Sequence, residues 1–157
     1  MEPNEDFMRE AIKLSVLNVL EKKGGPFACV IVKDNKIIAR GTNLVTSTND
    51  PTAHAEIVAI RNACKELNSF QLDDCDIYTT CEPCPMCLSA IYWARPRQIF
   101  YANSKYDAAK INFDDQFIYE EIEKPKDKRA IPASQFLREE ALEAFELWFK
   151  IDDKIQY

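Results

Sequence analysis

His54-Ala55-Glu56 and Pro83-Cys84-Pro85-Met86-Cys87 are the stretches of this sequence whose residue types could do chemistry together. His54 is the only histidine in 157 residues. Two cysteines three positions apart at a helix start lie on one face, about one turn apart. The N-terminus of a helix favours the thiolate over the thiol. One imidazole and two thiolates give three ligands to zinc, an ion that takes four. The fourth position is then open to water, which is what separates a catalytic zinc from a structural one. Water held there loses a proton near neutral pH and needs a base to collect it. Glu56 is two residues from His54, too close along a helix to share its face. It can still reach the metal's side as a proton acceptor without being a ligand.

Plainer readings exist for each part. A single histidine in an apolar helix is more often filler than ligand, and one Cys-x-x-Cys is common. A structural site of Cys75, Cys81, Cys84 and Cys87 also satisfies zinc's ligand count, as in an interaction module without turnover. It crowds Cys81 and Cys84 across Pro83 and leaves Glu56 without a role. Cys29 and Cys64 stand alone among apolar neighbours and read as small buried hydrophobes.

Composition narrows the function classes. The N-terminal stretch MEPNEDFMRE is acidic and lacks the basic-then-apolar layout of a signal peptide, so a cytoplasmic protein without disulfides is expected. No apolar run approaches the length of a membrane span. With 26 acidic against 20 basic residues the net charge is −6, which disfavours a polynucleotide and favours a small-molecule substrate. The basic run KPKDKR at 124–129 reads as a solvated loop.

The elements that must position these residues follow from the hydrophobic pattern. Residues 5–22 have helical spacing, with Gly24-Gly25 ending the helix. FACVIV (27–32) and KIIARGTN (36–43) are β-rich runs joined by a tight turn at Lys33-Asp34-Asn35-Lys36. Asp50 and Thr52 offer N-caps to a helix over 53–67, in which Ala55, Ala59 and Ala63 form one face. CDIYTTC (75–81) is a third strand, residues 86–95 a helix stopped before Pro96, and QIFYAN (98–103) a fourth strand. Phe117 to Ile122 and Ala141 to Phe149 are helical, and Asp114-Asp115 reads as a helix cap. The order β-β-α-β-α-β implies a single α/β layered domain over 1–157, its sheet largely parallel after the first hairpin.

At these residues the chain resembles the cytidine deaminase-like zinc deaminases. DPTAHAEI with CEPCPMC is similar to the purine-acting branch, which holds guanine deaminases and tRNA adenosine deaminases. GGPFACVIVKDNKIIARGTN, TCEPCPMCLSAIYWARP and FDDQFIYEEI resemble small bacterial guanine deaminases along essentially the whole chain. The resemblance implies a three-layer α-β-α sandwich around a mixed, largely parallel five-stranded sheet, and a homodimer. It implies one zinc per chain on His54, Cys84 and Cys87, with Glu56 as the proton shuttle, the part a non-ligand glutamate plays in zinc deaminases. It implies that Asn43 hydrogen-bonds the base, that Phe27 and Trp93 line the purine pocket, and that Asp115 helps manage the substrate amine. The C-terminal segment ending on Tyr157 would close over a purine pocket, its own or, through exchange, a partner's. The implied reaction is hydrolysis of guanine to xanthine and ammonia. Guanosine, cytidine, an aminotriazine or a tRNA adenosine are the alternative substrates within the superfamily. The acidic stretch LREEALEAFELWFKIDDK lacks the basic helix a tRNA reader would want. One departure is Ala28-Cys29, where the family commonly shows Gly-Ala after Pro-Phe.

Overall fold

The structure is a computed structural model that describes residues 2–113 and 115–157. Asp114, half of the expected helix cap, lies outside the described residues. The chain divides into two compact units, residues 1–116 and 117–157.

The first unit is built on a sheet of four strands among the described residues. They are β1 (Ala28–Lys33), β2 (Lys36–Thr42), β3 (Asp76–Cys81) and β4 (Gln98–Asn103), in the order β2-β1-β3-β4. The Asp34-Asn35 turn has positive φ at both residues, which matches the twist of the hairpin it closes. β1 runs antiparallel to β2 and also to β3; only β3 and β4 are parallel. The sheet is therefore mixed, with four strands rather than five and one parallel pairing rather than a parallel majority. After β4 the chain enters helix α5 (Lys105–Lys110), set by a capping box between Ser104 and Asp107, and only helical elements follow among the described residues.

Helices cover both faces. α1 (Glu5–Leu20) packs Ala11, with Phe7, Met8 and Leu14, against Val30, Val32 and Tyr78. On the other face α3 (Ala55–Leu67) and α4 (Pro85–Ala94) bury Ala55, Ala59, Ala63, Ile91 and Ala94 against Cys29, Ile31, Ala39 and Ile77. This is the expected three-layer sandwich. It explains why β1 is apolar at successive positions: neighbours on the strand serve opposite cores. The alanine face lets α3 lie so close to β2 that a Cβ on Gly41 would collide with the Ala55 carbonyl and the Ala59 amide.

Two expectations are corrected. Gly24 and Gly25 do not terminate α1; Lys22 takes the left-handed turn, and no glycine has positive φ. Gly24 is required because a Cβ there would strike the Asn43 carbonyl. Nor do Asp50 and Thr52 cap α3. The Asp50 carboxylate accepts from the Thr52 amide and hydroxyl at 2.8 and 2.6 Å, and the N-cap is His54. A short helix, α2 (Val45–Thr48), and α5 have no apolar periodicity to announce them.

The second unit contains α6 (Gln116–Glu123, straddling the boundary), a 3-10 turn (Lys126–Lys128) within the basic run, and α7 (Arg138–Lys150). Glu121 joins its parts by accepting from Lys124 and from the Ala130 amide. Neither α6 nor α7 has a buried residue.

Candidate metal centre and active site

Two helix N-termini supply the centre. His54 is the N-cap of α3 and Cys84 the N-cap of α4, each with extended backbone and without a side-chain cap bond. Both side chains are released from capping and turn to one another. Cys87 lies three residues into α4, and Pro85 at its first position starts the helix without wasting an amide donor.

The three ligand atoms lie within 4.8 Å of one another, and theirs is the metal-holding group found among the described residues. His54 Nδ1 is 3.5 Å from the Sγ of Cys84 and 3.5 Å from that of Cys87. A tetrahedral zinc with ordinary Zn–N and Zn–S bonds separates its nitrogen and sulfur ligands by about 3.5 Å. Both nitrogen–sulfur edges of the donor set therefore have the length of those in a zinc tetrahedron.

The charges agree with a cation there. Cys84 is held down to about 4 by its hydrogen bond with Cys87, helped by His54 and opposed by burial. Cys87 is pushed up, foremost by its hydrogen bond with Cys84 and then by burial, with the Glu56 and Cys84 charges adding to this. His54 is held above its ordinary value, chiefly by its hydrogen bond to Cys84, against burial. A second thiolate beside the first, with Glu56 adjoining, needs a positive ion among them.

Glu56 follows in the first turn of α3 and is 6% exposed. Burial raises its pKa; hydrogen bonds from its own amide and from Cys87 pull the other way. Its Oε1 accepts from the Thr79 hydroxyl at 3.2 Å, a contact across to β3.

The remaining cysteines do not join. The Cys81 thiol points to the Ser104 carbonyl at 3.7 Å and is pushed up to about 11, mainly by burial. The Cys75 thiol points to the Asp73 carbonyl at 3.7 Å. The four-cysteine alternative is thus not formed. Cys29, fully buried beside Glu56, is core. The unusual Ala28-Cys29 pair is therefore absorbed by the sheet.

Asn43, at the end of β2, is 5% exposed. Its Oδ1 accepts from the Gly25 and Val45 amides, each at 3.3 Å, which identifies the other end of the amide, Nδ2, as the donor. Asn18 holds the same loop, donating to the Gly25 and Asn43 carbonyls at 2.8 and 2.9 Å. Phe27 meets Phe113 edge-to-face at 4.9 Å. Asp115, half-buried, lies near enough for its charge to act on His54 and Cys81. Trp93 is 63% exposed, about 200° round α4 from the buried Ile91. Tyr157 belongs to the second unit and is exposed.

Asn18, Thr79 and Phe113 were not singled out from sequence. Asn18 did carry a signal, as a polar side chain inside the apolar run LSVLNVL; Thr79, beside Thr80 in DIYTTC, did not.

Comparison with known proteins extends this picture. Residues 1–103 match the family described as the cytidine and deoxycytidylate deaminase zinc-binding region. The chain is 54% identical to guanine deaminase of Bacillus subtilis over 98% of this chain and 99% of that protein. The X-ray structure of guanine deaminase from Bacillus subtilis superposes with a TM-score of 0.96 at 54% identity, over 99% of each chain. A tRNA-specific adenosine deaminase of Aquifex aeolicus is 33% identical over 93% of each chain.

Proposed function

This chain belongs to the cytidine and deoxycytidylate deaminase zinc-binding family, and from that premise we propose that it hydrolyses guanine to xanthine and ammonia. The observation that carries the reading is a zinc-sized His54/Cys84/Cys87 group with a buried non-ligand Glu56 beside it, in a chain 54% identical end to end to a guanine deaminase.

His54, Cys84 and Cys87 would hold one zinc per chain. When bound, zinc supplies the Lewis acid that makes water a nucleophile near neutral pH. Glu56 does the proton work. Its burial raises its pKa above the ordinary carboxylate value, which strengthens it as a base. It takes a proton from water as oxygen adds to C2 of the purine, and delivers it to a ring nitrogen. It then assists the amino group to depart as ammonia, leaving the carbonyl of xanthine.

The other residues bind and orient the base. Asn43 Nδ2 donates to an acceptor on the purine edge. Phe27 and Trp93 line the purine, and Asp115 accepts from the amino group that leaves. The C-terminal segment closes over the base and brings Tyr157 to it. The working unit is the whole chain, 1–157, as a cytoplasmic homodimer, with that segment closing its own site or, through exchange, a partner's. The apolar side chains left exposed on α7 support a second copy as their cover. A net charge of −6 favours the free base over tRNA as substrate.

The test is a spectrophotometric comparison of guanine, guanosine, adenine, cytosine and cytidine with ammonia release measured in parallel. Guanine is expected to be turned over much faster than the rest. Efficient deamination of cytidine with none of guanine would overturn the reading.

A further inference from the structure

On the α3 side of β3, Ile77 and Thr79 succeed each other among Cys29, Ile31, Ala55 and Ala59. That environment is apolar, and a valine would fill the position of Thr79 with the same shape and equal strand propensity. The hydroxyl is the unexplained group. Thr79 is 1% exposed, so its O–H must find a partner in the protein. Two acceptors are in reach, the Glu56 carboxylate at 3.2 Å and the Ala28 carbonyl at 3.5 Å. The carboxylate is both nearer and the stronger acceptor, and a hydroxyl has one proton to give. The Ala28 carbonyl lies on a strand paired on both sides.

We propose that Thr79 is a positioning residue for Glu56: its hydroxyl anchors one carboxylate oxygen to β3 and leaves the other for proton transfer. A glutamate side chain has three rotatable bonds, and Glu56 starts from the first turn of a helix. Burial removes the water that would otherwise share its hydrogen bonds. Without the anchor the carboxylate can rotate away from the reacting atoms, and misplacement of a general base is costly at the transition state. Thr79 is outside the His54/Cys84/Cys87 group and acts through Glu56. The inference rests on the reading of Glu56 as the proton-transfer residue.

The experiment compares zinc-loaded full-length Thr79→Val, Thr79→Ala, Thr79→Ser, Glu56→Gln and the double variant Thr79→Val/Glu56→Gln, measuring zinc per chain, Tm, and kcat and KM for guanine. Both hydroxyl-free variants are expected to keep one zinc and a KM within about twofold, while kcat falls by roughly 10- to 100-fold, the scale of losing a hydrogen bond to a charged group. Serine should restore kcat to within about threefold. In the Glu56→Gln background the valine should change the residual rate by less than about twofold, because the group it positions is gone. The proposal is overturned by an unchanged kcat in Thr79→Val, by an equal loss in both backgrounds, by failure of serine to rescue, or by loss of zinc or fold in both hydroxyl-free variants. Retention of full activity by Glu56→Gln alone would instead overturn the role of Glu56, whatever Thr79 does.

Discussion

In α3, Ala55, Ala59 and Ala63 are fully buried under a sheet; in α7, Phe145, Trp148 and Phe149 are 46–81% exposed. Both helices are amphipathic by sequence, and the residues of the second are far larger. The smaller side chains are inside because they let α3 approach β2 and bring His54 and Glu56 to the end of the sheet. The larger ones stay on the surface, and neither α7 nor α6 has a buried residue. Residues 1–116 thus carry the buried core and the whole metal group. Residues 117–157 carry large apolar side chains that stay exposed, Phe145 and Phe149 among them.

The largest effect that would break this division is at the metal. Cys84→Ala or Cys87→Ala should remove zinc and lower turnover by roughly 10³-fold or more, since the charge stabilisation lost with the ion amounts to several kcal/mol. Cys81→Ala should keep zinc, because its thiol faces the Ser104 carbonyl. Metal analysis of the purified variants decides this; zinc lost from Cys81→Ala and retained by His54→Ala would reverse the ligand assignment.

Next in size is the separation of binding from proton transfer inside the first unit. Glu56→Gln keeps shape and removes the base, so zinc content should stay near one per chain while kcat drops by roughly 10²-fold or more. Near-normal turnover in the zinc-replete variant would remove Glu56 from the mechanism.

The second unit is probed by deleting Ile155-Gln156-Tyr157. Zinc and fold should survive and guanine turnover should fall by at least about tenfold, the order expected when a closing segment is lost. Unchanged kcat and KM would make these residues a tail. Thermal unfolding bears on the same unit. If exposed α7 side chains are covered by a second copy, Tm should rise with protein concentration. A concentration-independent Tm together with a monomeric mass would remove the dimer.

The smallest effect is local to α5 and should leave both units as they are. The Asp107 carboxylate is held down to about 2, against an ordinary 3.8, foremost by its hydrogen bond from the Ser104 hydroxyl. Its folded value lies below its unfolded one. The stability it contributes is therefore complete above the ordinary value and is lost as pH falls toward 2. In Ser104→Ala an NMR titration of Asp107 should move up toward 3.8, with kcat unaltered at neutral pH. No movement would mean that the capping box does not hold Asp107.

The sequence by itself determined the local elements and the ligand types. β1 to β4 fall within about a residue of their hydrophobic runs, because apolar period and turn residues are properties of neighbouring positions. His54, Cys84 and Cys87 were legible for the same reason: metal ligands are few in kind and their spacing is local. What sequence could not give was direction and partnership between distant residues. That β1 pairs antiparallel with β3 depends on how the chain crosses the sheet, as does the count of four strands among the described residues. That Gly24 serves the approach of Asn43 rather than the end of α1 depends on a residue 19 positions away. The Thr79 hydroxyl gained a meaning only when tertiary packing set it 3.2 Å from Glu56, 23 residues distant. A hydrogen bond between a strand and a helix leaves no periodic trace in either, so only the folded chain could decide it.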